Sequence, residues 1–280
     1  MLFPTFQPGV SMLKHLFPLL LVIAAFVLSA DLSAQGWGGR SLPVVKCAHC
    51  GKEKPSAGKA ENGSGELADL CFECWQLPRC NYCQMPSEAE TAGGDHLCRE
   101  CAKDTITDKA EAEKVMKDVR QVLATKFKMT SKHKITYEIG TRKEINLEAD
   151  GSHNELGWFD PKTVRNKPLY TIRILTGLPR DVFRAVAAHE LAHDWMDENL
   201  PHLSDKPEIR EGFAEFVAWS FSREEGNSRM MKYTENRTDE VYGGGFRKVR
   251  KMMGDAKTAP EWKAALLKEF PLKQTKKSGK

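Results

Sequence analysis

The spacing of apolar positions divides the 280-residue chain into zones of different local structure. From Asp108 the apolar residues take a helical period, and Val115, Met116, Val119, Val122 and Leu123 form one face of a helix predicted to run through about Lys126. Asp108 with Glu111 three residues later gives it a capping-box-like start. Between Lys134 and Thr176 the period shortens to that of a strand, in the runs ITYEI, EINLEA, LGWF and LYTIRIL, which predicts a mixed sheet. The helical period returns near Pro179, a favourable first-turn residue, in RDVFRAVAAHELAHDWMDE. It recurs in PEIREGFAEFVAWSF and again around Phe246. Trp195, Phe213, Phe216 and Trp219 sit at helical spacing and are assigned to the core. The fold class predicted is α+β.

The N-terminus follows a different logic. Leu16 to Ala30 is an apolar run preceded by Lys14 and followed by small residues as far as Ala34, the layout of a secretory signal peptide over residues 1–34. About 15 apolar residues interrupted by Pro18 fall short of the ~20 needed to span a bilayer. Export with cleavage before Asp31 or Gln35 is expected, leaving no stable membrane span. An uncleaved anchor is the alternative. A linker over 35–45 follows. The net charge of +4 is mild, and the last eight residues, 273–280, contribute four lysines as a basic tail. No nucleic-acid partner follows from such a charge distribution.

All eight cysteines lie between positions 47 and 101, and each belongs to a CxxC pair: Cys47/Cys50, Cys71/Cys74, Cys80/Cys83 and Cys98/Cys101. Two residues between thiolates let a tight turn offer both sulfurs to one tetrahedral ion, so four pairs imply two structural zincs. The segment from Gly51 to Asp69 is rich in Gly, Ser, Lys and Glu, so bound metal is expected to supply much of the folding energy. Disulfides are the competing reading for an exported protein. Sequential sharing and interleaved sharing of the two ions both fit the spacing. His49 and His96 are expected to be exposed rather than coordinating.

HELAH, at residues 189 to 193, carries the sharpest chemical signal. Four residues make about one helical turn, so His189 and His193 face the same ion while Glu190 reaches a metal-bound water as general base. On the next predicted helix Glu211 can supply a third protein ligand, and Glu215 can hydrogen-bond a ligating histidine. His133, His153 and His202 are read as surface residues. The implied chemistry is hydrolysis of a peptide bond by zinc-activated water, with a protein or peptide as substrate. The rival is a protein-binding scaffold whose zinc modules dock a partner and whose HELAH site is structural or inactive.

TGLPR, AHELAHDW, EIREG, DEVYGGGFR, PRCNYC and HLCREC together resemble the plant organ-size regulators of the "DA-one" type. That family pairs LIM-like zinc modules with a C-terminal metallopeptidase. The likeness runs from about Cys47 to at least Arg247. It implies a LIM-like double-zinc module over 46–104, which could also take a protein partner, followed by a gluzincin-like, zincin-fold peptidase over 107–272 with one catalytic zinc. It also points to Tyr242, in the shared VYGxGFR stretch, as an electrophilic helper, with packing of the turn as the alternative role. The family has a histidine where this chain has Cys74, and it carries ubiquitin-binding motifs and a further LIM domain ahead of the matched part. Activation by ubiquitin is therefore not carried over.

Overall fold

The computed structural model describes residues 42–62, 66–90, 95–145 and 155–272. The expected signal segment, the basic tail, His153 and positions 146–149 of EINLEA lie outside the described residues. The cysteine-rich part begins with an antiparallel sheet of β1 (Val44–Lys46), β2 (Glu53–Glu61) and β3 (Leu67–Cys71), in that order, closed by the one-turn helix α1 (Phe72–Trp75). The polar segment after Gly51 thus forms strand. A second small ribbon pairs β4 (Ala89–Glu90) with β5 (His96–Leu97). Next come β6 (Thr105–Ile106) and the helix α2 (Lys109–Phe127). Asp108 caps α2 by accepting from Glu111 N, while the Glu111 carboxylate turns away to Arg180.

A mixed sheet follows, from β7 (Ile135–Gly140), β8 (Gly157–Val164) and β9 (Lys167–Leu175). The central strand is β9, parallel to β7 and antiparallel to β8. It carries the fully buried Ile172, Ile174 and Leu175. At the edge, β8 tolerates Pro161, which has no N–H to give a further strand. Arg165 and Asn166, with φ of 49° and 62°, make the two-residue left-handed turn that joins β8 to β9. Glu144 and Ile145, expected in a strand, instead form a turn. Glu144 Oε2 accepts from Thr141 N at 2.8 Å and Ile145 N donates to Thr141 O at 3.1 Å, so local bonds outcompete the ladder.

The short strand β10 (Leu178–Pro179) pairs with β6 and leads into α3 (Arg180–Asn199), with Pro179 just outside the helix. Four more α-helices follow among the described residues: α4 (Pro207–Glu224), α5 (Ser228–Asn236), α6 (Gly245–Met253) and α7 (Ala259–Glu269). The helices α4 and α6 cross where two glycines meet. A β-carbon on Gly212 would fall 2.3 Å from the Gly245 backbone, so the crossing requires both to lack one. Trp262 of α7 is buried against Phe127, Phe213 and Phe216, tying α2, α4 and α7 into one core. Trp195, Phe213, Phe216 and Trp219 are all buried there.

Three histidines depart from expectation. His49 has a side chain only 8% exposed and bonds Glu88 at 2.8 Å. His133 stacks on Tyr170 with centroids 3.7 Å apart and donates to the buried Asp194 at 2.8 Å, because Asp194 could not be buried without a partner. His202 donates to the Phe270 carbonyl at 3.0 Å. None of them joins a metal-ligand cluster among the described residues.

Candidate metal centre and cleft

Chain order decides how the cysteines gather. Cys47, Cys50, Cys71 and Cys74 form one group and Cys80, Cys83, Cys98 and Cys101 the other, with all sulfurs of a group within 4.8 Å of one another. All eight are free thiols. Four sulfurs at about 2.3 Å from a tetrahedral zinc lie about 3.8 Å apart, and Cys50 and Cys71 are separated by 3.9 Å, Cys83 and Cys98 by 3.4 Å. The electrostatics also suit a cation. Burial alone would push the Cys47 thiol up, but the backbone N–H groups of Cys50, Cys71 and His49 hold it down at about 6. Burial and neighbouring sulfurs push Cys74 up, and the Cys80 sulfur beside it does the same to Cys101. Without an ion the thiols of each group cannot all ionise, and with one they can. Both four-cysteine groups could therefore hold metal ions such as zinc.

The third group comes from two helices. His189 and His193 project from one face of α3, and Glu211 comes across from α4. The two histidine Nε2 atoms are 3.1 Å apart, and Glu211 Oε2 lies 3.3 Å from the first and 3.2 Å from the second. Donors held at about 2.0–2.1 Å by a tetrahedral ion stand about 3.3 Å apart, so this triangle matches a divalent cation's coordination face. Burial works against charge on His189, yet Glu211, Glu190 and Glu215 hold its imidazole up at about 9. Burial holds His193 down. Burial would raise Glu211, but His193 and His189 pull it well below the ordinary carboxylate range. The site concentrates negative charge that a cation would balance.

Glu190 lies on the same helix but outside this triangle. It is 4% exposed, and burial, reinforced by Glu211 and Glu155, lifts its carboxyl to about 8 despite His189 and an N–H from Phe159. A carboxyl so placed exchanges a proton near neutral pH. Glu215 Oε1 stands 3.7 Å from His189 Nδ1, too far for a hydrogen bond. It is held instead by Arg237 at 2.9 Å, and its Oε2 accepts from Thr234 at 3.1 Å. Arg237 also covers the Tyr242 ring at 4.1 Å, and that ring lies 6.4 Å from the ring of His189. Tyr242 rides on a π-turn (Glu240–Gly244) capped by Asp239, which accepts from Tyr242 N and Gly243 N. Burial and the Glu211 charge push its phenol up, so the hydroxyl keeps its proton.

A cleft of about 1030 Å³ opens over the triangle, walled by β8, α3, α4, α5 and the π-turn. Arg237, Thr234 and Gly157 went unread in the sequence. Arg237 follows no helical or motif spacing, and the only trace of Gly157 is a glycine inside the predicted strand run LGWF. No helix among the described residues is long and apolar enough to cross a membrane. No family model, curated protein or solved structure matches this chain.

Proposed function

We propose that the chain is an exported zinc-dependent peptidase, with a zincin-like domain over 107–272 of the Glu-liganded kind behind a LIM-like module carrying two structural zincs. The observation that carries this reading is the 3.1 to 3.3 Å triangle of His189, His193 and Glu211 with the buried carboxyl of Glu190 beside it in an open cleft. A zinc ion there would lower the pKa of its bound water to about 7 and polarise the scissile carbonyl.

The protein's own groups supply the rest. Glu190 accepts the proton of the attacking water and returns it to the leaving amine. Tyr242 donates its hydroxyl to the oxygen on which charge develops. Glu215, fixed by Arg237 and Thr234, orients His189 electrostatically. The edge of β8 away from β9 carries no strand among the described residues, and its Gly157, Trp158 and Phe159 line the cleft, so an extended substrate can lie along it.

Cleavage of unfolded casein tests the reading. Glu190→Gln should leave three zincs per chain and lower turnover by ~100-fold or more, and full cleavage by this variant would overturn it. Export rests on residues 1–34 alone, and N-terminal sequencing should find Asp31 or Gln35 first. The scaffold reading draws on one observation, the exposed Val44, Leu67, Phe72 and Trp75 on the first cysteine module, which suit a protein partner there.

A further inference from the structure

Tyr82 belongs to the second cysteine group, yet its ring packs against the main core as well as against its own knuckle. Asn81, Tyr82 and Asp95 line the same cleft as His189, Glu190 and Glu211. Their side chains are preset. The Tyr82 hydroxyl donates to Asp95 Oδ2 at 2.7 Å, and Asn81 Oδ1 accepts from His96 N at 2.8 Å. Asn81 N donates back to His96 O at 2.9 Å, so this wall is braced by the knuckle's own bonds.

The knuckle is also fastened to the helices that bear the metal triangle. Backbone pairing of β6 with β10 begins four residues after Cys101. Asp104 takes Arg180 at 2.9 Å at the head of α3. Arg229 of α5 donates to Cys101 Sγ at 3.0 Å and pairs with Asp181 of α3. The first cysteine group has a far lighter link, an exposed pair of Glu61 and Lys232 at 2.9 Å. Two groups built alike from paired CxxC cysteines therefore stand in different relations to the cleft, one as a wall and one as an appendage.

We propose that the second cysteine knuckle is part of the substrate-binding surface, with Tyr82 and Asp95 forming a subsite for an extended, unfolded polypeptide that reaches past the cleaved bond. This rests on the peptidase reading of the cleft. The subsite makes the protein selective for long unfolded segments over short peptides, because only a long chain meets the triangle and the knuckle together. It contributes binding that is the same in ground and transition states, and so acts on KM.

The experiment uses the full metal-loaded chain and the conservative variants Tyr82→Phe and Asp95→Asn. Probes are unfolded casein and two synthetic peptides, short and long, built around the casein bond cut fastest. Both variants should raise KM for casein and for the long peptide by roughly 5 to 10-fold, as loss of a hydrogen-bonded contact does. They should leave kcat, the short peptide and the zinc content unchanged. Anisotropy of fluorescein-labelled casein on a Glu190→Gln background should show the same loss of affinity without turnover. Unchanged KM for casein, or an equal rise for the short peptide, overturns the subsite. If wild type cuts nothing but binds casein, and the variants weaken that binding, the peptidase reading falls and the subsite stands. If casein is not bound at all, both fall.

Discussion

A β-carbon built on Gly157 would lie 2.7 Å from Oε1 of Glu190 and equally close to Val186, so the first residue of β8 fixes where that carboxylate can stand. Gly157→Ala is expected to displace Glu190 while leaving the three ligand atoms in place. Turnover of casein should drop about 100-fold, the usual cost of ~1 Å misplacement of a reacting group, with zinc content unchanged. Elemental analysis beside a casein assay checks it, and loss of zinc in parallel with activity would refute the assignment.

Glu211 and Glu215 lie one helical turn apart on α4, and on the proposed reading they play different parts. Glu211→Ala removes one corner of the triangle, and two histidines are too few for a stable centre, so that ion should be lost on dialysis. Glu215→Ala should weaken its affinity or the activity by roughly 10 to 100-fold. Arg237→Ala should behave like a mild form of Glu215→Ala and also lower kcat, since it frees Tyr242. Competitive titration with a chromophoric zinc chelator ranks the variants.

Asp160 on β8 predicts a pH effect on stability. Burial would raise its carboxyl, but Lys162 and Arg173, at 2.5 and 2.7 Å, hold it below the ordinary 3.8. A folded pKa lower than the unfolded one stabilises the fold above 3.8, and that stabilisation is lost as pH falls through the folded value. Asp160→Asn should therefore cost about 1–2 kcal/mol near neutral pH, with the difference vanishing in strong acid. Urea titrations across that range decide it, and a pH-independent difference would count against the argument.

Chelation should proceed in two stages. The histidine and carboxylate group opens onto a cleft and offers three protein donors, whereas each cysteine group offers four, and seven of the eight sulfurs belong to buried residues. Mild chelator should abolish cleavage with the circular dichroism spectrum intact. Removing the cysteine-bound ions with a thiol reagent should then melt β1, β2 and β3, whose strands pack on little besides the first cysteine group and Leu70. Simultaneous loss of all ions and all structure would contradict this order.

What could be read from the sequence follows the range of the interactions. The CxxC pairs and the helical spacing of HELAH are local, so Cys47 to Cys101 and His189 to His193 stand out at once. Glu211 was reachable because one helix period and a neighbouring helix constrain it. By contrast the His133 to Asp194 bond joins positions 61 apart, and no local period marks it. Arg237 acts through Glu215, 22 positions away, and through Tyr242 five positions on, where the chain follows no regular helical period. The helix α7 is a different case, since its capping box of Thr258 and Glu261 with Pro260 in the first turn was legible and went unread. The run at Glu144 failed because a side chain bonding its own turn leaves no trace in a hydrophobicity pattern.

Each metal-side group is drawn from a short stretch of chain: Cys47 to Cys74, Cys80 to Cys101, and His189 to Glu211. An ion in any of them closes only a small loop, and none bridges one stretch to another. The ions would thus act as separate rivets, each fastening its own neighbourhood. Cohesion between neighbourhoods falls to Arg180, Arg229 and the two-residue strap of β6 on β10, and, for the first cysteine group, to the His49–Glu88 and Lys232–Glu61 pairs. A chain organised this way would take up such ions one at a time and in any order, and would surrender one in the cleft without dismantling the walls around it.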